Sequence, residues 1–175
     1  MNMAIQAGAV FGNTKYIPGN SGNGFKYWMV EAQANLPAPG IPFLGGVAFR
    51  GFGAGVYSRM KMTLPSRFNP TLASASTFGG AIFTPDASIK FGFKAIVILA
   101  TTPKEETFNG SAGISAEFNA SGGMNFIKFN GLFYCGSKII EPEKSFANGS
   151  LSVEYDFPQK IFKRNASSQD EKVPK

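Results

Sequence analysis

The run SIKFGFKAIVILA (Ser88–Ala100), followed by ETFNGSAGISAEFNA (Glu106–Ala120) and GGMNFIKFNGLFYCGS (Gly122–Ser137), decides the fold. Each run alternates at period two, the signature of a strand whose successive side chains point to opposite faces. In the first run Ile89, Phe91, Phe93, Ala95, Val97 and Leu99 share one face, and Lys90, Gly92, Lys94, Ile96, Ile98 and Ala100 share the other. Both faces are apolar from Ala95 to Ala100, which predicts a central strand covered on both sides. The second run predicts a buried face of Phe108, Gly110, Ala112, Ile114, Ala116 and Phe118, and a wet face of Asn109, Ser111, Gly113, Ser115, Glu117 and Asn119. Ser121-Gly122-Gly123 is a tight hairpin signal. The third run then returns with Ile127, Phe129, Gly131 and Phe133 inward and Lys128 and Asn130 outward.

Similar strands flank this block. Met3–Thr14 places Ile5, Ala7, Ala9 and Phe11 on one face, and Phe25–Leu36 does the same with Trp28, Val30, Ala32, Ala34 and Leu36, so the two read as a hairpin. Three prolines between Pro37 and Pro42 interrupt the pattern, since proline cannot sit in a central strand. Phe43–Met62 reads as one strand with a glycine stripe at Gly51, Gly53 and Gly55. Such a stripe admits a close neighbour or a sharp bend. Thr63–Asp86, punctuated by Pro65, Pro70 and Pro85, reads as a long loop capping one end of the sheet, and a ligand-facing element is sought there first. After a polar Lys138–Asn148 loop, Gly149–Phe157 and a short Lys160–Arg164 strand complete residues 1–164 as one β-rich domain. Residues 165–175 read as a disordered polar tail. The fold class is all-β: long antiparallel strands in a meander, forming a large sheet, a sandwich or a solenoid-like stack. A 13-residue strand spans roughly 43 Å at ~3.3 Å per residue.

Composition excludes more than it assigns. The 175 residues include 18 Phe and 21 Gly but no His, and one Cys. Without histidine the usual general base, the Ser-His-Asp and Cys-His arrangements and the commonest metal ligand are all missing. Cys135, at the end of an apolar strand, reads as a small core residue. Neither a disulfide within the chain nor a cysteine zinc site is possible. The close acidic pairs, Glu105-Glu106, Glu141/Glu143 and Glu154/Asp156, sit at turns or on a polar strand face, and no calcium-loop pattern is present. No catalytic residue, cofactor or metal is therefore expected. The net charge of +6 is concentrated toward the C-terminus, and no basic run is interleaved with aromatics, so no nucleic acid is expected as a partner. The glycines of 45–55 lack the G-x-G-x-x-G spacing and a following helix. Four Asn-x-Ser sequons begin at Asn109, Asn119, Asn148 and Asn165. In so Asn-, Ser- and Gly-rich a chain, chance accounts for most of them.

Five stretches carry a resemblance when taken in order: Lys26-Tyr27-Trp28, Gly51–Tyr57, Phe91–Ala95, Phe118–Phe129 and Val153–Phe157. Together they resemble part of a group of very large, uncharacterised β-rich bacterial proteins. The resemblance implies a segment of something longer, at the cell envelope or outside the cell, with the rest of a larger polypeptide or other envelope components as partners. The start Met1-Asn2-Met3-Ala4 has no signal-peptide pattern.

The leading expectation is thus a non-catalytic structural or interaction module. Two alternatives remain. One is an outer-membrane β-barrel or part of one, with Phe108 and Phe118 marking two aromatic girdles and Lys90 and Lys94 facing the lumen. The other is a glycan- or lipid-binding module with Tyr27, Trp28, Phe49, Phe52 and Tyr57 as its platform.

Overall fold

A computed structural model describes residues 3–15, 24–63 and 81–170. Eleven strands are present and no α-helix occurs among the described residues. They are β1 (Ala4–Asn13), β2 (Lys26–Asn35), β3 (Ile41–Leu44), β4 (Val47–Ser58), β5 (Met60–Thr63), β6 (Ile82–Pro85), β7 (Ile89–Thr101), β8 (Asn109–Asn119), β9 (Met124–Cys135), β10 (Ala147–Asp156) and β11 (Ile161–Asp170). One antiparallel sheet runs β1-β2-β4-β7-β8-β9-β10-β11, with β3 beside β4, while β5 and β6 form a separate two-stranded hairpin. The all-β antiparallel meander read from the sequence is the observed architecture. β7 holds a central place between β4 and β8, and β1 and β2 are a hairpin neighbour pair.

Three boundaries differ from expectation. Phe43–Met62 is not one strand. Gly45 and Gly46, at φ +21° and +86°, turn the chain between β3 and β4. Arg59, at φ +52°, breaks it again before β5. The glycine stripe beyond the turn, Gly51 to Gly55, does lie within β4. The expected loop Thr63–Asp86 falls largely on residues 64–80, outside the described residues. Its far end is β6, which pairs back on β5. The short last strand extends through Asp170, six residues past the expected boundary at Arg164. Asn165–Ser168 stand opposite Ser152–Gly149 of β10, so backbone pairing, which takes no account of side-chain polarity, holds the start of the expected tail in the sheet.

The registers carry straight rows of residues across the whole sheet. From Ala7 the row passes through Ala32, Ala54, Ala95, Ile114, Phe129 and Val153 to Arg164. The sheet is open. A closed eight-stranded barrel with strands tilted by ~40° needs a stagger of roughly ten residues on going once around. Shifting β11 by that amount against β1 would leave only about three residues of the two strands opposite one another.

Candidate functional site

The two faces of the sheet have the reverse of the burial expected from their polarity. On β8 the polar side chains are inside: Asn109, Ser111, Ser115 and Glu117 are buried, whereas Ala112 is exposed and Ile114 half-exposed. On β2 Glu31 and Gln33 are buried while Val30 and Ala32 are exposed. Phe129 and Phe133 of β9, expected inward, are 51% and 41% exposed. A single sheet exposed on both sides cannot bury one face, so the polar side is the covered one. The β5–β6 hairpin covers part of that side. Met60 joins Met29, Tyr57 and Ile89 in a small apolar cluster, with Tyr27, Met62 and Phe83 packed against it. Alternation separates the two faces of a strand but does not say which of them is covered.

The polar side is organised around two interactions. Lys94 Nζ lies 2.7 Å from Glu31 Oε2, with both side chains only 6% exposed. Gly55 sits between them in register, and its missing side chain leaves room for the contact. The Lys94 ammonium also lies 5.1 Å from the centre of the Phe83 ring. Burial lowers the Lys94 pKa, and Glu31 partly offsets this. In the second interaction Asn125 donates a 2.9 Å hydrogen bond to Glu117 Oε1, and the Tyr57 hydroxyl approaches Glu117 Oε2 at 3.5 Å. Burial raises the Glu117 carboxyl, against the effect of those two donors. Burial and then the Glu117 charge raise the Tyr57 hydroxyl. A cavity of about 30 Å³ lies beside Lys94, Ser111 and Ser115. It has room for two or so water molecules. Among the described residues no three His, Cys, Asp or Glu side chains are grouped to hold a metal ion.

The five platform residues do not share a surface. Trp28, Phe49 and Phe52 belong to the outer apolar face, being in register with Phe11, Leu99 and Val97. Tyr27 and Tyr57 belong to the polar face, and Tyr57 is completely buried. The five are thus split three and two between the faces, and Gly51 and Gly55 face inward, where Ile98, Glu31 and Lys94 take up the space.

The outer face is apolar across most of the sheet, as far as Arg164 on β11. Beside the alanine row runs a second row of Ala9, Val30, Val56, Phe93, Ala116, Ile127, Tyr155 and Phe162. Aromatic residues collect at both ends of the strands. Phe11, Trp28, Phe91 and Phe118 lie toward one end, with Phe91 and Phe118 6.5 Å apart between ring centres. Phe43 packs on Phe49 at 4.7 Å and Phe108 stacks on Phe133 at 6.4 Å toward the other. The eight residue steps from Phe91 to Leu99 on β7 separate the two levels by roughly 26 Å along the strand. The Phe108 and Phe118 levels were legible in the sequence. The buried Glu31–Lys94 pair was not, because its members lie 63 positions apart and meet only through the β2–β4–β7 registers.

Comparisons of the chain with protein-family models, with curated proteins and with solved structures give no match.

Proposed function

We propose that this chain is a non-catalytic wall segment of the cell envelope, with its apolar face against lipid acyl chains and its polar face toward an enclosed interior. The observation that carries this reading is the inverted polarity of β2 and β8 within an antiparallel sheet, where Glu31, Gln33, Ser115 and Glu117 are buried while Val30 and Ala32 are exposed. Strands that alternate apolar-out and polar-in, with aromatic girdles above and below an apolar band ~25 Å tall, suit a membrane wall. The two aromatic levels lie roughly 26 Å apart along the strand, or about 20 Å along the membrane normal at a tilt of ~40°, a little short of that band. A buried Glu31–Lys94 pair suits an interior that is polar but shielded from bulk water. Unpaired backbone groups at the two sheet edges would cost several kcal/mol each in hydrocarbon, so in a membrane β1 and β11 must be joined to further strands. A place within a larger envelope polypeptide supplies such neighbours.

A second reading has its own support. The same face would pack on another apolar β-layer ~10 Å away, leaving the edges in water. Arg164, on the central row of the outer face, favours this arrangement.

Trp28 is the only tryptophan and stands on the outer face at one aromatic level. Reconstituted into vesicles of phosphatidylcholine with brominated acyl chains, the chain should show strong quenching of its fluorescence. Unquenched emission, with recovery of the folded chain in buffer free of detergent, would overturn the lipid reading and leave the protein layer.

A further inference from the structure

Strand β1 is an exposed edge of unusual chemistry. Ala4–Asn13 is ten residues long, pairs with β2 without a register shift, and contains no charged residue and no proline. Edge strands are ordinarily protected by Lys, by Pro, by a bulge or by being short, because their free N–H and C=O groups are a template for another strand. Among the described residues β1 has none of these protections. The opposite edge differs, since β11 carries Lys163 and Arg164 in its first half.

The strand is also self-complementary. We propose that β1 pairs antiparallel with β1 of a second copy about a two-fold axis at Gly8. Only an even-sum register keeps odd-numbered residues on the same face in both copies. The register centred on Gly8 sets Ile5 beside Phe11 of the second copy, Ala7 beside its Ala9, and Gln6 beside its Val10. Large residues then oppose large ones, and small oppose small. The two-fold position is taken by glycine, where no side chains meet. No like charges are opposed anywhere along the strand, whereas an equivalent β11 pairing centred at Arg164 would set two arginines together. The joined sheets continue both the apolar and the polar face without interruption. This inference stands whether the outer face meets lipid or protein, because it concerns the sheet edge alone.

Gln6 and Val10 lie on the polar face and are exposed, so charges are tolerated there. The test compares the full chain with two variants, in whichever buffer or detergent keeps it dispersed, using light scattering for mass and circular dichroism for folding. The wild type should be a dimer. Gln6→Lys with Val10→Lys opposes lysines twice across the axis and should weaken the dimer about tenfold. Gln6→Lys with Val10→Glu opposes unlike charges and should restore it to within about threefold. A monomeric wild type, or equal behaviour of the two variants, would overturn the proposal, including the case in which β1 instead receives a strand from elsewhere in a longer chain.

Discussion

The ring of Tyr57 lies directly on Gly92, its register partner on β7, and fills the space a side chain would take there. Tyr27 covers Gly12 of β1 in the same way. In both pairs glycine serves as a socket for an aromatic ring on the polar face. Gly92→Ala drives a methyl into a completely buried ring and should cost about 1–3 kcal/mol. Gly12→Ala, at the sheet edge where Tyr27 has room to move, should cost less. Chemical denaturation of the two variants gives the ordering; equal losses would show that the Tyr57 ring is free to move as well.

The Glu31–Lys94 pair should behave as a buried ion pair. Lys94→Met alone leaves a carboxylate buried beside Phe83 and should destabilise by about 3–5 kcal/mol. Glu31→Leu together with Lys94→Met should recover most of that loss, because neither charge is left uncompensated. A double-mutant cycle at neutral pH measures the coupling, and additive losses would deny it.

Acidity should act through Glu117. Its carboxyl is raised above the ordinary 4.5 chiefly by burial, so the folded state holds the proton more tightly than the unfolded state. The resulting stability is fully present below pH 4.5 and is lost as the pH rises through the folded value. Glu117→Gln removes this loss and keeps an acceptor for Asn125. The variant should therefore gain on the wild type as the pH rises from 4.5 toward 7. Thermal unfolding at a series of pH values tests it, and a constant difference would count against the assignment. In the alkaline range two groups oppose each other. The raised Tyr57 hydroxyl favours the folded state less as pH passes 10.0, while the lowered Lys94 favours it more as pH climbs toward 10.5.

Ala54 stands in the middle of the outer alanine row and is exposed. Ala54→Lys should leave folding in water within about 0.5 kcal/mol. In a lipid bilayer the same change at mid-depth should cost about 2–4 kcal/mol. Urea titration with and without phospholipid vesicles separates the two, and an equal small effect in both media would speak for the protein-layer reading.

Most of the strands were legible from alternation alone, because the period-two pattern of Phe91–Ala100 or Gly149–Asp156 depends only on local sequence. Which side faced inward was not. Alternation gives the contrast between two faces but carries no sign, and the sign follows from what the sheet meets. Lys94, on the same strand face as Ile96 and Ile98, was the one local signal of a buried polar face. The breaks at Gly45-Gly46 and Arg59 were hidden for another reason. Glycine is so frequent in this strand that two turn glycines resemble the stripe that follows them, and Arg59 has no turn signature. The extension of β11 through Asn165–Ser168 escaped because polar residues at a sheet edge look like a tail until a partner strand is placed beside them.

The order of the main sheet has a consequence for how the chain acquires its shape. Apart from the β3 and β5–β6 excursions, each strand pairs with the one that precedes it in the chain. Loop-closure entropy is then spent in small instalments, and low contact order favours rapid folding. A chain delivered from its N-terminus can zip strand by strand from β1 to β11, each arrival templated by a neighbour already in position.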